Sequence, residues 1–222
     1  FHTKQQHAFF SWSLYRRKQY GMMRARLVKS FADRRSDTEI TAALTIESET
    51  YFQKPVEDLT SAAVLVPIVD YVDSLTVLLT QRGALLKNHP GQVSFPGGQS
   101  ENIDADSTAT ALRESEEEIG LNRDRVEVLG NLDVCLTGTG YRVVPGVGLV
   151  TPPLKLHLDD FEVVDAFEVP LKLILDARNY RRDSIITDSG QHREFYVLDY
   201  HDRYIWGATA RILVNLRDLM MN

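Results

Sequence analysis

Glu114, Glu116, Glu117 and Glu118 place four carboxylates within five consecutive positions. On a helix, like charges at such spacings repel by about 0.2–0.5 kcal/mol per pair, so the run needs either solvent or a counter-charge. A helix turns by about 100° per residue, so Glu114, Glu117 and Glu118 (i, i+3, i+4) share one face while Glu116 points away from it. The spacing predicts three oxygen donors converging on one spot. Hard divalent cations such as Mg²⁺ or Mn²⁺ take such a ligand set and remove the repulsion when they bind. For an isolated run, the alternative reading is a solvated acidic face.

The elements around the run favour the metal reading. Pro96-Gly97-Gly98 precedes the helix, and glycine lets a backbone come close to a ligand without a side-chain clash. The carbonyl of Gly97 is thereby a candidate for the metal shell. Arg113 stands immediately before the first glutamate, and its planar fork can hold an acidic side chain in place. Asp106 or Ser107 is suited to cap the helix, Ala109, Leu112, Ser115 and Ile119 form its packing stripe, and Gly120 is its expected C-terminal stop. The small Ala111 and Ser115 let it sit close to a sheet.

The stretch from Phe95 to Leu121 resembles the Nudix box, G-x5-E-x7-R-E-U-x-E-E-x-G-U with U a bulky aliphatic. Arg113, Glu114, Glu117, Glu118, Gly120 and Leu121 fall on its second half without a gap. The first half departs from it: after five intervening residues Gly98 is followed by Asp104 in place of Glu, and eight residues separate Asp104 from Arg113. Glu101 and Asp104 are both candidates for the partner of Arg113. Ser115 stands where the box has a large aliphatic. Just upstream, LLTQRGALLKNHPGQVSFPGG (Leu78 to Gly98) is similar to the extra signature of the coenzyme A diphosphatase branch of Nudix hydrolases, which shares the stretched spacing and the small residue after Arg-Glu.

The resemblance implies an α/β fold, a Nudix-type α/β/α sandwich around a mixed β-sheet. It also implies Mg²⁺ or Mn²⁺ as cofactor, Glu114, Glu117, Glu118 and Gly97 as metal ligands, and Arg113 as the residue that orients them. Glu162, just ahead of Val163 and the Phe-Glu-Val-Pro-Leu run, matches a further glutamate of the family, as an extra ligand or general base. Arg82, Lys87 and Gln92 match the branch signature as substrate contacts. The implied reaction is hydrolysis of CoA or acyl-CoA to (acyl-)4′-phosphopantetheine and adenosine 3′,5′-bisphosphate. ADP-ribose, NADH or a dinucleoside polyphosphate are rival substrates, and a regulatory domain that binds a nucleotide without cleaving it is a rival class. The intact Arg-Glu-x-x-Glu-Glu speaks against the latter.

The remaining chain supplies the scaffold. Its 222 residues, 43% of them hydrophobic, suffice for one domain with a sizeable core. A single cysteine, Cys135, excludes an internal disulfide framework; a small buried hydrophobe in a cytoplasmic protein is the expected reading. No apolar run approaches the roughly 20 residues of a membrane span. The net charge of −6 hides an asymmetry: residues 1–36 carry nine bases and one acid, leaving 16 bases against 30 acids. Residues 1–23 are expected to be a basic leader outside the fold, disordered or not native to it. Residues 24–60 should wrap the domain with weak helix and loop, and residues 61–222 should form the hydrolase domain. The leader's charge and aromatics suit a membrane surface or nucleic acid, but no nucleic-acid partner is expected.

Ser61 to Val69 and Leu75 to Arg82 read as adjacent buried strands. Gln92–Phe95 is a short strand, and Lys87 and His89 lie in the loop before it. Strands follow across Val126–Thr137 and Tyr141–Val150, where Pro145 and Gly146 suggest an irregular or edge strand. Next come a strand ahead of Pro170 with a helix from it, a charged loop over 176–190, a hairpin, and a core-packing helix through Ala210, Leu213 and Leu216. Glu168 is expected to be structural.

Overall fold

The computed structural model describes residues 2–32, 58–86, 89–186, 190 and 192–221, with side chains from residue 17 onward. The apolar runs become β1 (Thr60–Asp70) and β2 (Leu75–Arg82), antiparallel through Ile68↔Val77 and Asp70↔Leu75. Both are buried on both faces, which explains their continuous rather than alternating hydrophobicity. β3 (Val93–Ser94), β4 (Gly97–Gln99), β5 (Val126–Asn131), β6 (Cys135–Leu136), β7 (Tyr141–Val150) and β8 (Val163–Pro170) complete an eight-stranded sheet. It is mixed, because β1 and β7 run parallel from Thr60↔Tyr141 to Val69↔Val150. A second, three-stranded sheet holds β9 (Tyr180–Ile186), β10 (His192–Tyr200) and β11 (Arg203–Trp206).

Helices cover both faces of the large sheet, giving the expected α/β/α sandwich. On one face lies α2 (Ser107–Ile119), whose Ala111 and Ile119 pack with Ala63, Leu65, Val69 and Leu78. On the other lie α1 (His2–Ala32), α3 (Leu171–Leu175) and α4 (Gly207–Met221), bringing Leu27, Phe31, Ile174, Leu213 and Leu216 against Val66, Val77 and Val147. Asp106 caps α2 by accepting from Ala109 N at 2.8 Å, and Gly120 ends it in the left-handed conformation. No described helix is long and apolar enough to cross a membrane.

Several expectations require correction. α1 is one unbroken helix across residue 23, and Tyr20 and Met23, inside the expected leader, pack against the same core as Leu27 and Phe31. Tyr20 also donates its hydroxyl to Asp70, which Arg24 Nε reaches at 2.7 Å. The rest of the wrapping segment, 33–57, falls outside the described residues. β7 is central, not an edge: Pro145, which has no N–H to donate, sits between the stretches paired with β5 and β6, and its carbonyl accepts from Leu132 N at 2.8 Å. The charged run over 176–190 contains strand β9, in which the consecutive Arg181 and Arg182 are both exposed, on opposite faces of the small sheet. Arg181 pairs with Asp183 and Asp199, and Arg182 lies 3.9 Å from the Tyr196 ring centre.

Leu27 is fully buried while Met22 on the same helix is 66% exposed. Leu27→Ala should therefore cost about 3 kcal/mol of folding free energy, and Met22→Ala should stay within about 0.5 kcal/mol, by chemical denaturation.

Candidate active site

The site sits where the sheet splits. β1 and β2 pair only near their shared turn; beyond it β2 turns to β3 (Thr80↔Ser94, Gln81↔Val93) and β1 to β4 (Ala62↔Gln99, Val64↔Gly97). The Phe95–Gly98 turn fills the wedge, and Leu65 N donates to the Pro96 carbonyl at 2.9 Å. Gly97 has φ +151°, and a Cβ there would fall 2.5 Å from Val64 Cα; only glycine fits a backbone so placed. A Cβ on Gly98 would fall 2.5 Å from Glu114 Cδ. The glycine pair thus lets the helix carboxylates touch the turn.

Arg113 is the hub of the carboxylates. Its Nε donates to Asp104 Oδ1 at 2.9 Å and Nη2 to Asp104 Oδ2 at 3.0 Å, while Nη1 reaches Glu114 at 2.9 Å and Glu117 at 3.0 Å. Of the two candidates Asp104 is therefore the partner. Bidentate pairing with the guanidinium holds its carboxyl well below the usual range. The backbone N–H of Glu101 and the hydroxyl of Thr110 complete the cradle at 2.9 and 3.0 Å. Glu116 points away, as expected, and pairs with Arg123 at 2.6 Å.

The three glutamates expected to converge do not do so as their side chains stand. Glu117 and Glu118 are neighbours about 100° apart on the helix, and packing decides between them: Glu118 is 4% exposed against the sheet, Glu117 61% exposed. Among the described residues no three acids are grouped closely enough to hold one cation. The packing side of α2 is likewise rotated from the expected stripe, to Thr110, Ala111, Ser115, Glu118 and Ile119.

Glu118 is the most constrained acid. Its Oε2 accepts from Gly97 N at 3.0 Å, and its Oε1 lies 3.5 Å from Arg82 Nη1. Burial pushes its carboxyl up to about 7; the Gly97 N–H and Arg82 work against this, and the charges of Glu162 and Glu114 add to it. Burial also raises Glu114, in spite of Arg113. As pH rises from about 4.5 towards 7, the unfolded chain releases a proton that buried Glu118 retains, so ionising Glu118 costs folding stability. Glu118, with only a long contact to Arg82, and Glu114, which shares one Arg113 nitrogen with Glu117, are hard oxygen donors of the type a divalent cation takes.

Glu162, half-buried, belongs to the same charge cluster, since it raises both Glu114 and Glu118. Its turn hangs from the helix: Asp159 N donates to the Glu118 carbonyl at 2.9 Å, and Gly83 N to the Glu162 carbonyl at 2.8 Å. A Cβ on Gly83 would meet the Phe161 carbonyl at 2.6 Å. The role of Gly83 escaped the sequence reading, although a glycine directly after a buried strand is its signal. Arg82 is brought to the site, but facing Glu118. Gln92 lies beside it, its carbonyl accepting from Arg82 N at 3.0 Å and its side chain hydrogen-bonded to His89 at 3.1 Å. Lys87 lies outside the described residues.

The split sheet, the glycine turn and the Arg-Glu-x-x-Glu-Glu helix define a class. The chain belongs to the Nudix family, whose NUDIX domain matches residues 59–186, and is an enzyme acting on phosphoric anhydrides. It is 43% identical over 155 residues to a protein of Photorhabdus laumondii named Uncharacterized Nudix hydrolase NudL, covering 70% of this chain and 82% of that one. A Klebsiella pneumoniae protein of the same name is 42% identical over 155 residues, covering 70% and 80%. Among solved structures, the M. smegmatis Nudix hydrolase RenU is similar at 16% identity and TM-score 0.47, covering 73% of this chain and 86% of that one. The NUDIX domain of Shewanella oneidensis NrtR complexed with ADP ribose is similar at 22% and TM-score 0.41, covering 59% and 85%. Nudix hydrolases act on nucleoside diphosphate derivatives and generally use divalent metal ions.

The Arg113 cradle makes a separable prediction. Asp104→Asn should lower the thermal midpoint and cut turnover at least about tenfold, because Arg113 loses one charged partner, while Glu101→Gln should leave both near wild type.

Proposed function

We propose that the chain is an Mg²⁺- or Mn²⁺-dependent diphosphatase that splits CoA or acyl-CoA into (acyl-)4′-phosphopantetheine and adenosine 3′,5′-bisphosphate. The observation that supports this reading is the position of Leu78–Arg82 and Gln92–Gly98. The stretch similar to the CoA branch supplies Arg82 beside Glu118, Gln92 on the backbone of Arg82, and the glycine turn under Glu114.

Glu114, Glu117 and Glu118 would hold the cation, with the Gly97 carbonyl as a further donor. A bound divalent cation neutralises diphosphate charge, makes phosphorus more electrophilic and acidifies water. Arg113 keeps Glu114 and Glu117 near their working positions by sharing one nitrogen between them. Glu162 is suited to take the proton of the attacking water, being half-buried and held by its backbone next to the other acids. The water oxygen bonds to one phosphorus in line with the bridging oxygen, the P–O bond on that side breaks, and the bridging oxygen leaves on the other monoester. Arg82 is placed to exchange its long contact with Glu118 for a substrate phosphate. Positioning and charge supply most of the acceleration in such transfers.

Glu118→Gln and Glu117→Gln should each lower turnover by about 10² or more with the circular dichroism spectrum unchanged. Near-wild-type activity in both contradicts the assignment of the site. Incubation with CoA, acyl-CoA, ADP-ribose, NADH and dinucleoside polyphosphates, with products identified by mass, tests the substrate: 4′-phosphopantetheine is expected, and rapid turnover of another compound with CoA untouched rejects the CoA reading.

A further inference from the structure

A groove of about 820 Å³ lies on the face of the sheet that carries α2, its lining separate from the carboxylates. β2 and β8 contribute Leu78 and Ala166, the segment after β7 contributes Pro152, Leu154 and Leu156, and Tyr71 and Glu168 complete the lining with two further residues. Its volume is within the range of small-molecule sites. Among the described residues that line it the only charge is Glu168, and both of its oxygens are engaged, one by the Tyr71 hydroxyl at 2.8 Å and the other by Thr76. With no cation among the described lining residues, the phosphates of a nucleotide find no counter-charge from them. An uncharged chain does have surface to bury.

The groove is tied to the catalytic helix. Leu78 lies four residues before Arg82 on β2, about 13 Å along the strand. The segment that contributes Leu154 and Leu156 continues into His157, whose N–H meets the Ile119 carbonyl at 2.9 Å, then Asp159 on the Glu118 carbonyl, and then Glu162. The arm joining diphosphate to thioester in an acyl-CoA is longer, when extended, than that separation.

Resting on the diphosphatase reading, we infer that the groove between Leu78, Ala166 and Leu154 receives the acyl-pantetheine arm of the substrate and makes the enzyme selective for acyl-CoA over free CoA. Each methylene buried is worth about fourfold in affinity. Octanoyl-CoA should therefore show a KM at least about tenfold below that of acetyl-CoA.

Two substitutions outside the carboxylate site test this, Ala166→Phe to fill the groove and Leu154→Asp to charge the half-exposed segment that lines it. Both should remove the chain-length dependence of KM while keeping kcat on acetyl-CoA. Independently, S-octanoyl-pantetheine, which has neither diphosphate nor nucleotide, should bind the wild-type protein in calorimetry with chelator present, and at least tenfold more weakly in either folded variant. If the probe fails to bind wild type, or both variants bind it equally well, the groove assignment is overturned. If the probe binds and is lost in the variants while no CoA compound is cleaved, the groove stands and the diphosphatase reading falls.

Discussion

The site depends on the absence of two side-chain carbons. Gly97 lies against the Val64 backbone in a conformation other residues avoid, and Gly98 faces the Glu114 carboxylate with no room for a methyl group. This close approach lets the Gly97 N–H reach Glu118, pins the start of β4 in the wedge between β1 and β2, and sets how near α2 can come to the sheet. The small Ala111 and Ser115 serve the same approach from the helix side, Ser115 turning its hydroxyl back to the Ala111 carbonyl at 2.6 Å. Burial of Glu118 is the consequence, and its high pKa follows from that burial.

Charge compensation is the second layer. Arg113 is itself anchored by Asp104, so it has a fixed position from which to hold Glu114 and Glu117. Arg82 offers Glu118 only a long contact. The strongest ion pairing is therefore in the scaffold and the weakest at the most buried acid, where an incoming cation gains most. Two backbone bonds, from Asp159 and Gly83, fix the Glu162 turn to the helix and to β2, so four acids from two segments form one electrostatic unit.

Much of this was legible in the sequence. Arg113 to Leu121 stood out through its resemblance to the Nudix box, and helix geometry alone turned Glu116 away from the other glutamates. A helix cap at Asp106 or Ser107, the stop at Gly120 and the β1–β2 pairing were also readable, and the structure selects Asp106. The choice between Glu101 and Asp104 was not, because it depends on which loop acid the fold turns towards the guanidinium. Nor was the divergence of Glu117 and Glu118, which packing decides. β9 escaped because a strand in a small, largely exposed sheet shows charge rather than apolar alternation. α1 escaped for a different reason: Tyr20, Met23, Leu27 and Phe31 do recur at helical spacing, but the basic residues around them masked the stripe.

If the glycine turn is what positions the carboxylates, a single added methyl group at Gly98 should be tolerated by the fold and not by the chemistry. The atoms it meets are the end of a flexible side chain, Glu114, rather than backbone, so Gly98→Ala can fold by displacing that carboxylate. A displacement of about 1 Å can cost about 10² in rate. The direct measurement is kcat/KM for CoA compounds in Mg²⁺ or Mn²⁺, alongside the thermal midpoint. A midpoint close to wild type with kcat/KM lower by about 10² is expected; a variant equally stable and fully active would contradict the positioning role of the glycine turn.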